Sequence, residues 1–520
     1  PVQLAALQAG VATNTTTRNA NVNGMRGSYN NITWDGINIQ ENYLRGNASS
    51  GLFAQAAPSV AGVGEFTITT QNASAADGTG AAQVKIITPR GSNEYHGSLF
   101  EFWRNSALNA NTFFNNAAGQ PKPYLNQHQF GGNVGGPFAL PRFGEGGDVF
   151  TQKEKLFFYT YYEETREAQQ TLLTRTVLAS PARAGNFTYR RVDNGQLQTI
   201  NVLNLTGRTI DPRINRLIGQ TPLPNDLAGD RINTNGFSFN SPSGSNEKLF
   251  GFRINYDYSQ ENRFEVVYSR DSIAVPNDTF NNTGEPFPGL PGKGQFPKRT
   301  RGAAAWNWAP TQTITNELRA GYYHQRSLFI GEEIEYEGNT RLAFPLNLTN
   351  PVQNSLTSGR NGKIHELIDN ASWVRGDHLF RFGGNYRKTH LEPFNFAGTI
   401  PQYSIGFGTN NPNPLSATNL AQFPGRISTI EFNNASNLLA FLSGAVFQGT
   451  QTFNVTSATS GFVKGAEQRR NLIFDLYAAY VTDTWRVRPN LTLNLGLRYE
   501  YISPVRERDG IGLLPVGGLE

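Results

Sequence analysis

Six histidines, His96, His128, His324, His365, His378 and His390, are the residues that most readily suggest chemistry in this chain of 520 residues. A metal site needs ligands converging at a short, regular spacing, as in the HExxH pair on one helix face. None of the six has that spacing; His365-Glu366 stands alone at the start of an alternating segment. GGNVGG (Gly131–Gly136) suggests a phosphate cradle, but it lacks the closing Lys-Ser/Thr and no helical pattern follows. Glycines within a strand more often admit a second backbone. Acidic residues are scattered, with no readable general acid–base pair. The chain has no cysteine, so thiolate metal sites and disulfide scaffolds are excluded. The expectation is a protein that is not an enzyme, holds no cofactor and works through non-covalent contact.

The elements that must position such contacts are strands. In KLFGFRINYDYSQENRFEVVYSR (Lys248–Arg270), Phe250, Phe252, Ile254, Tyr256 and Tyr258 alternate with Gly251, Arg253, Asn255 and Asp257. After Gln260-Glu261-Asn262 the alternation resumes at Phe264, Val266 and Tyr268. Period two makes one face apolar and the other polar. LTLNLGLRYEYISP repeats the pattern, and FDLYAAYVTDTW is its predicted partner through Arg486–Asn490. KIHELIDNASWV pairs with HLFRFGGNYRK through Arg375-Gly376-Asp377, and RGAAAWNW pairs with ELRAGYYHQ through residues 309–316.

About eleven strands are predicted, near 95–104, 127–137, 155–165, 247–259, 262–271, 299–309, 314–326, 362–374, 378–390, 471–485 and 490–503. Each is near the length of about ten residues that crosses a bilayer at a tilt. Short links alternate with long ones at 166–246, 272–298, 327–361 and 391–470, rich in Asn, Gly, Pro, Ser and Thr. That two-sided asymmetry belongs to an outer-membrane barrel, and a sandwich or propeller gives no reason for it. Trp103, Trp306, Trp308, Trp373, Trp485, Tyr499 and Tyr501 fall near strand ends, as interfacial girdles do. Eleven strands leave the sheet unclosed, so part of a larger barrel is expected.

Composition agrees. Aromatic residues reach 12% while charged residues are only 16%, against about 25% in ordinary soluble domains. The net charge of +5 is small and the basic residues are dispersed, so no nucleic-acid footprint is present. No apolar run is long enough for a transmembrane helix, which leaves a closed barrel as the other way to span lipid. The opening PVQLAALQAG has no basic region of a signal peptide and reads as mature, processed or cut from something longer.

Residues 1–92 lack long alternating strands. PVQLAALQAGV reads as a short helix ending at Gly10, and ITWDGINI, EFTITT and AAQVKIITPRG read as short strands. Here GMRGSYNNITWDGINIQ (Gly24–Gln40) resembles the plug-domain motif of TonB-dependent outer-membrane receptors, an Arg-Gly followed after a gap by hydrophobic-Asp-Gly. Gly64–Leu108 is similar to the second plug motif and the first barrel strand. The turn NEYHGS, the pair HQFGGNVGGPF and KLFFYTYYEETRE, and YVTDTWRVRPNLTLNLGLRYEY resemble the Oar-like branch of that family. Thr70-Gln71-Asn72 and Asp77-Gly78 depart from the usual motif residues, and the 520 residues include neither an energy-coupling box nor a carboxypeptidase-regulatory-like sandwich.

The resemblance spans nearly the whole chain. It implies an all-β fold, a large antiparallel transmembrane β-barrel of roughly 22 strands, with about half of them here, behind a small α/β plug. The plug is 1–92 and the barrel segment 93–520. The implied function is an outer-membrane receptor that binds a solute outside the cell (metal chelate, peptide or glycan) and imports it when the TonB–ExbB–ExbD complex acts on the plug. Solute contacts are expected at the plug apex, from Asn42, Tyr43, Arg45, Gln71 and Asn72. Plug–barrel contacts are expected from the polar strand face, at Arg253, Asp257, Arg381, Arg387, Arg498 and Glu500. The alternatives are a structural or adhesive surface barrel, a passive porin and, last, a secreted soluble β-enzyme.

Overall fold

The computed structural model describes residues 8–513 apart from 15–18, 26–29, 41–58, 72, 79, 81, 118, 139, 142–149, 152–153, 332–339 and 416–419. Eleven long strands pair antiparallel in strict chain order from His96–Asn105 to Leu491–Ile502. Between these two lie Leu125–Pro137, Leu156–Leu178, Ser245–Asp257, Asn262–Ala274, Lys298–Thr311, Ile314–Gly331, Ser358–Arg375, His378–Asn395 and Leu472–Arg488. We number them as wall strands one to eleven. Among the described residues no helix is long and apolar enough to cross a membrane.

The alternation builds this wall directly, because successive side chains of a strand point to opposite faces. Leu491, Leu495, Leu497, Tyr499 and Tyr501 are exposed on one face. The opposite face carries buried polar groups such as Glu163, Glu265, Arg301, Arg319 and Glu366. At the short-turn end Trp306, Trp308, Trp373 and Trp485 gather with Phe264, Phe380 and His378, the rings of Phe264 and Trp306 stacking at 6.3 Å and those of His378 and Trp485 at 5.1 Å. Two of the turns are tighter than the sequence suggests. Wall strands six and seven turn between Thr311 and Ile314, and ten and eleven between Arg488 and Leu491. Gly376 sits at φ +59° in the turn between strands eight and nine, a left-handed position that glycine fills without steric cost.

The plug holds a four-stranded sheet in the order Ile37–Asn38, Asn31–Trp34, Gln83–Ile87, Glu65–Thr69. Asp35 and Gly36 join the first two, with φ of +46° and +80°. Asp-Gly is a favoured pair for such a two-residue hairpin turn. The helix anticipated at the N-terminus begins in residues 1–7, which lie outside the described residues; Val11–Asn14 is a strand paired with Asn19–Val22.

The long links differ from their reading as loops. Wall strand three continues to Leu178, where it pairs with Thr234–Pro242. Above it, parts of 179–244, 340–357 and 396–445 fold together around one apolar core. Tyr189, Val202, Ile214, Leu342, Leu438 and Leu439 meet there, and Phe344 packs edge-on against Phe441 at 4.8 Å. The helix Thr429–Leu442 is capped by Ser428, which accepts from the Glu431 amide at 3.2 Å. Asp211 caps Pro212–Gly219 and donates its own amide to the Leu442 carbonyl, tying two links together.

Candidate functional site

Among the described residues, plug and wall meet at three docks, each built from inward positions of the strands. The largest surrounds the Asp35-Gly36 turn. Asp35 is buried and accepts from the Thr88 amide at 2.8 Å, the Thr88 hydroxyl at 2.7 Å and Arg301 Nη1 at 2.6 Å. The Arg301 guanidinium lies 4.3 Å from the centroid of the Trp34 ring. Arg319 Nη1 donates to the Asp35 carbonyl at 2.9 Å and to Glu265 at 3.0 Å. Glu265 also receives Arg253 at 2.6 Å, and Arg253 donates to the Thr88 carbonyl. Glu366 accepts the Asn38 amide at 2.9 Å while held by Arg387 at 2.8 Å.

Burial pushes the Asp35 carboxyl upward, but the charge of Arg301 and the hydrogen bonds from Thr88 outweigh it, and the group sits below its usual range. The dock is also apolar. Ile32, Trp34 and Ile37 pack with Val267, Ala303, Tyr323 and Ile364 of wall strands five to eight. Gly321 makes room for this contact, since a Cβ there would overlap the Ile37 side chain.

The second dock uses three successive inward residues of wall strand three. Tyr159 donates to the Ala61 carbonyl, the Tyr161 ring fills the space beside Gly62 and Gly251 that a Cβ would need, and Glu163 accepts from the Ser59 hydroxyl at 2.6 Å and the Val60 amide at 3.2 Å. The third is the turn Ala75–Asp77, where Arg498 reaches the Ala75 carbonyl at 3.4 Å while paired with Glu500 at 2.6 Å. Between docks one and three lies a cavity of ≈ 630 Å³, lined by Asp77, Lys85, Arg319, Glu366, Arg387 and Arg498 among others.

Of the residues anticipated at the plug–barrel contact, Arg253 and Arg498 donate to plug carbonyls, and Glu500 orients Arg498. Arg387 acts through Glu366. Asp257 pairs with Arg90, at the junction of plug and wall. Arg381 faces the lumen beside Asn370 and Tyr480, with no hydrogen bond to the plug among the described residues. Of the anticipated solute contacts, Asn42, Tyr43, Arg45 and Asn72 lie outside the described residues, and Gln71 is exposed. The glycines of GGNVGG mostly serve neighbouring strands: a Cβ on Gly132 would meet Leu99 and the Ser98 carbonyl, while Gly135 and Gly136 approach Gly91 at the plug junction.

Asp35, Glu163, Arg301, Arg319 and Glu366 were not anticipated at the contact between plug and wall. Strand parity could have found three of them, because Trp306 and Trp308 face outward and so place Arg301 inward, and the same count applies to Arg319 and Glu366.

Residues 87–512 match the family model described as an outer membrane beta barrel domain. Among solved structures, the chain is similar to the outer membrane transporter YddB from Escherichia coli, at 10% identity and a TM-score of 0.52, covering 96% of this chain and 53% of that one. It is also similar to a mutant of the ferric enterobactin receptor PfeA from Pseudomonas aeruginosa, at 12% identity and a TM-score of 0.50, covering 97% of this chain and 55% of that one. The chain thus spans about half the length of these structures, and at such identity the likeness is one of fold. No curated protein matches it. With the family model covering most of its length, the chain belongs to the outer membrane β-barrel family and resides in the outer membrane.

Proposed function

We propose that the chain supplies the plug and half of the wall of a TonB-dependent receptor of the Oar-like branch. The receptor binds a solute at the cell surface and imports it when the TonB–ExbB–ExbD complex draws on the plug. The observation that carries this reading is a folded plug docked at three separate places on the polar inner face of a membrane wall. Most of the directional contacts are hydrogen bonds and ion pairs, whose partners water can replace when the plug shifts. Metal chelates, peptides and glycans are the solute classes, contacted by Asn42, Tyr43, Arg45, Gln71 and Asn72. Cells carrying the intact protein are offered labelled members of each class, with and without a protonmotive-force uncoupler. Uptake is expected to stop on uncoupling while surface binding persists; uptake that continues unchanged sinks the reading.

A second reading, a surface barrel that engages partner proteins without transport, is favoured by the packed core above the wall. It requires that no member of the solute panel enters cells under any energy state.

A further inference from the structure

Inside the cap, a cavity of ≈ 350 Å³ lies between the helix Pro212–Gly219 and the link that continues from Thr340. Clefts that hold small molecules run from about 300 to 1,000 Å³. The helix presents Arg213 and Arg216 to this cavity, three residues apart and so on one face. Arg341 faces them from the short strand Arg341–Ala343. Three guanidinium groups from two separate links thus converge on one space, and no carboxylate of the described residues lines it. Leu217 and Leu342, both part of the cap's core, give it an apolar floor.

The chain itself holds these cations in place. Arg213 donates to the Thr340 hydroxyl at 3.1 Å and to the Thr340 carbonyl at 3.3 Å, and the buried Arg341 donates to the Asn354 carbonyl. A guanidinium is a fork of several N–H donors, so each can serve a ligand besides the chain. Beside Arg341 lies Lys293, which is also buried and has no ion pair among the described residues. Burial and then the charge of Arg341 hold its ammonium down at about 8. Like charges withdrawn from water repel each other, and an anion in the cavity offsets that cost. The cavity also offers an acceptor. Asn350 and Asn354 both donate to the Leu342 carbonyl, at 2.8 Å and 2.7 Å. The side-chain oxygen of Asn350 accepts from the Val352 amide at 2.9 Å. That of Asn354, Oδ1, is buried with no hydrogen-bond partner among the described residues, a costly state that a ligand donor relieves.

We propose that this cavity binds a small hydroxylated oxyanion, a carboxylate or phosphate carried on a sugar-like body. The guanidinium groups take the oxyanion, whose paired oxygens match their fork. Asn354 Oδ1 accepts from a hydroxyl, and Leu217 and Leu342 lie under the carbon frame. The site belongs to the cap and is separate from the plug positions Asn42, Tyr43, Arg45, Gln71 and Asn72. It binds its anion whether or not that anion is afterwards imported.

The intact protein in detergent micelles is titrated by calorimetry with glucuronate, a glucose phosphate, glucose and inorganic phosphate. Both acidic sugars are expected to bind, more weakly as salt is raised, and glucose is not. Inorganic phosphate should bind about tenfold more weakly than the sugar phosphate, because it brings no sugar hydroxyl to Asn354 and no carbon frame to the apolar floor. R216Q, at an exposed position, should weaken both acidic sugars about tenfold, and R213Q/R216Q should weaken them further; if the double variant does not fold, R216Q decides. Unchanged affinity in R216Q, glucose binding as tightly as the acidic sugars, or equal affinity for inorganic and sugar phosphate would overturn the proposal, as would failure of both acidic sugars to bind.

Discussion

At the residue scale, Asp35 holds the most concentrated set of plug contacts. Its carboxylate and Arg301 are both buried, so removing one charge leaves the other without compensation. Asp35→Asn should destabilise the docked plug by roughly 3–5 kcal/mol, seen as faster proteolysis of the plug in folded protein. Acid should act in the same direction. The folded carboxyl titrates below its ordinary 3.8, so its contribution is complete above that value and is lost as pH falls through the lower folded value. The wild-type plug should therefore hold constant from neutrality to about pH 4 and loosen below it, and Asp35→Asn should lack that acid step. At Gly321 the effect is steric: Gly321→Ala forces Ile37 aside, with an expected cost of about 1–3 kcal/mol in plug protection. ITWDGINI reads as one short strand in the sequence, whereas the chain turns back at Asp35-Gly36; the buried partners of that turn come from strands far along the chain, and only counting parity across several strands locates them.

At the element scale, the strands were legible because one face meets lipid and the other a polar lumen, which writes period two into every span. The cap was not. In TIEFNNASNLLAFL, the five residues from Leu438 to Leu442 are all buried. The C-terminal half of this helix is covered all round and so shows no apolar stripe, while Ile430 near its start is exposed, and its partners come from two other links. Ser428→Ala removes that helix's cap and should cost about 1 kcal/mol, measured as a lower melting temperature of the cap in detergent while the wall's strand signal is kept.

At the scale of the whole molecule, a chain without cysteine lets a single introduced pair report on plug motion. Ser59 and Glu163 already touch, so the double variant S59C/E163C places two thiols across the second dock. Oxidation should abolish uptake in cells and reductant should restore it, with surface binding of solute unchanged; uptake that survives verified crosslinking would mean that this dock need not open. The core of the cap has a consequence for biogenesis. Tyr189 and Val202 wait for Leu438 and Leu439, which lie beyond six further wall strands in the chain. Such distant pairing is slow to form, so during assembly the outward side of the protein stays uncovered until nearly all of this wall has been laid down, and chains truncated before Leu438 should stay bound to chaperones longer than chains that include it.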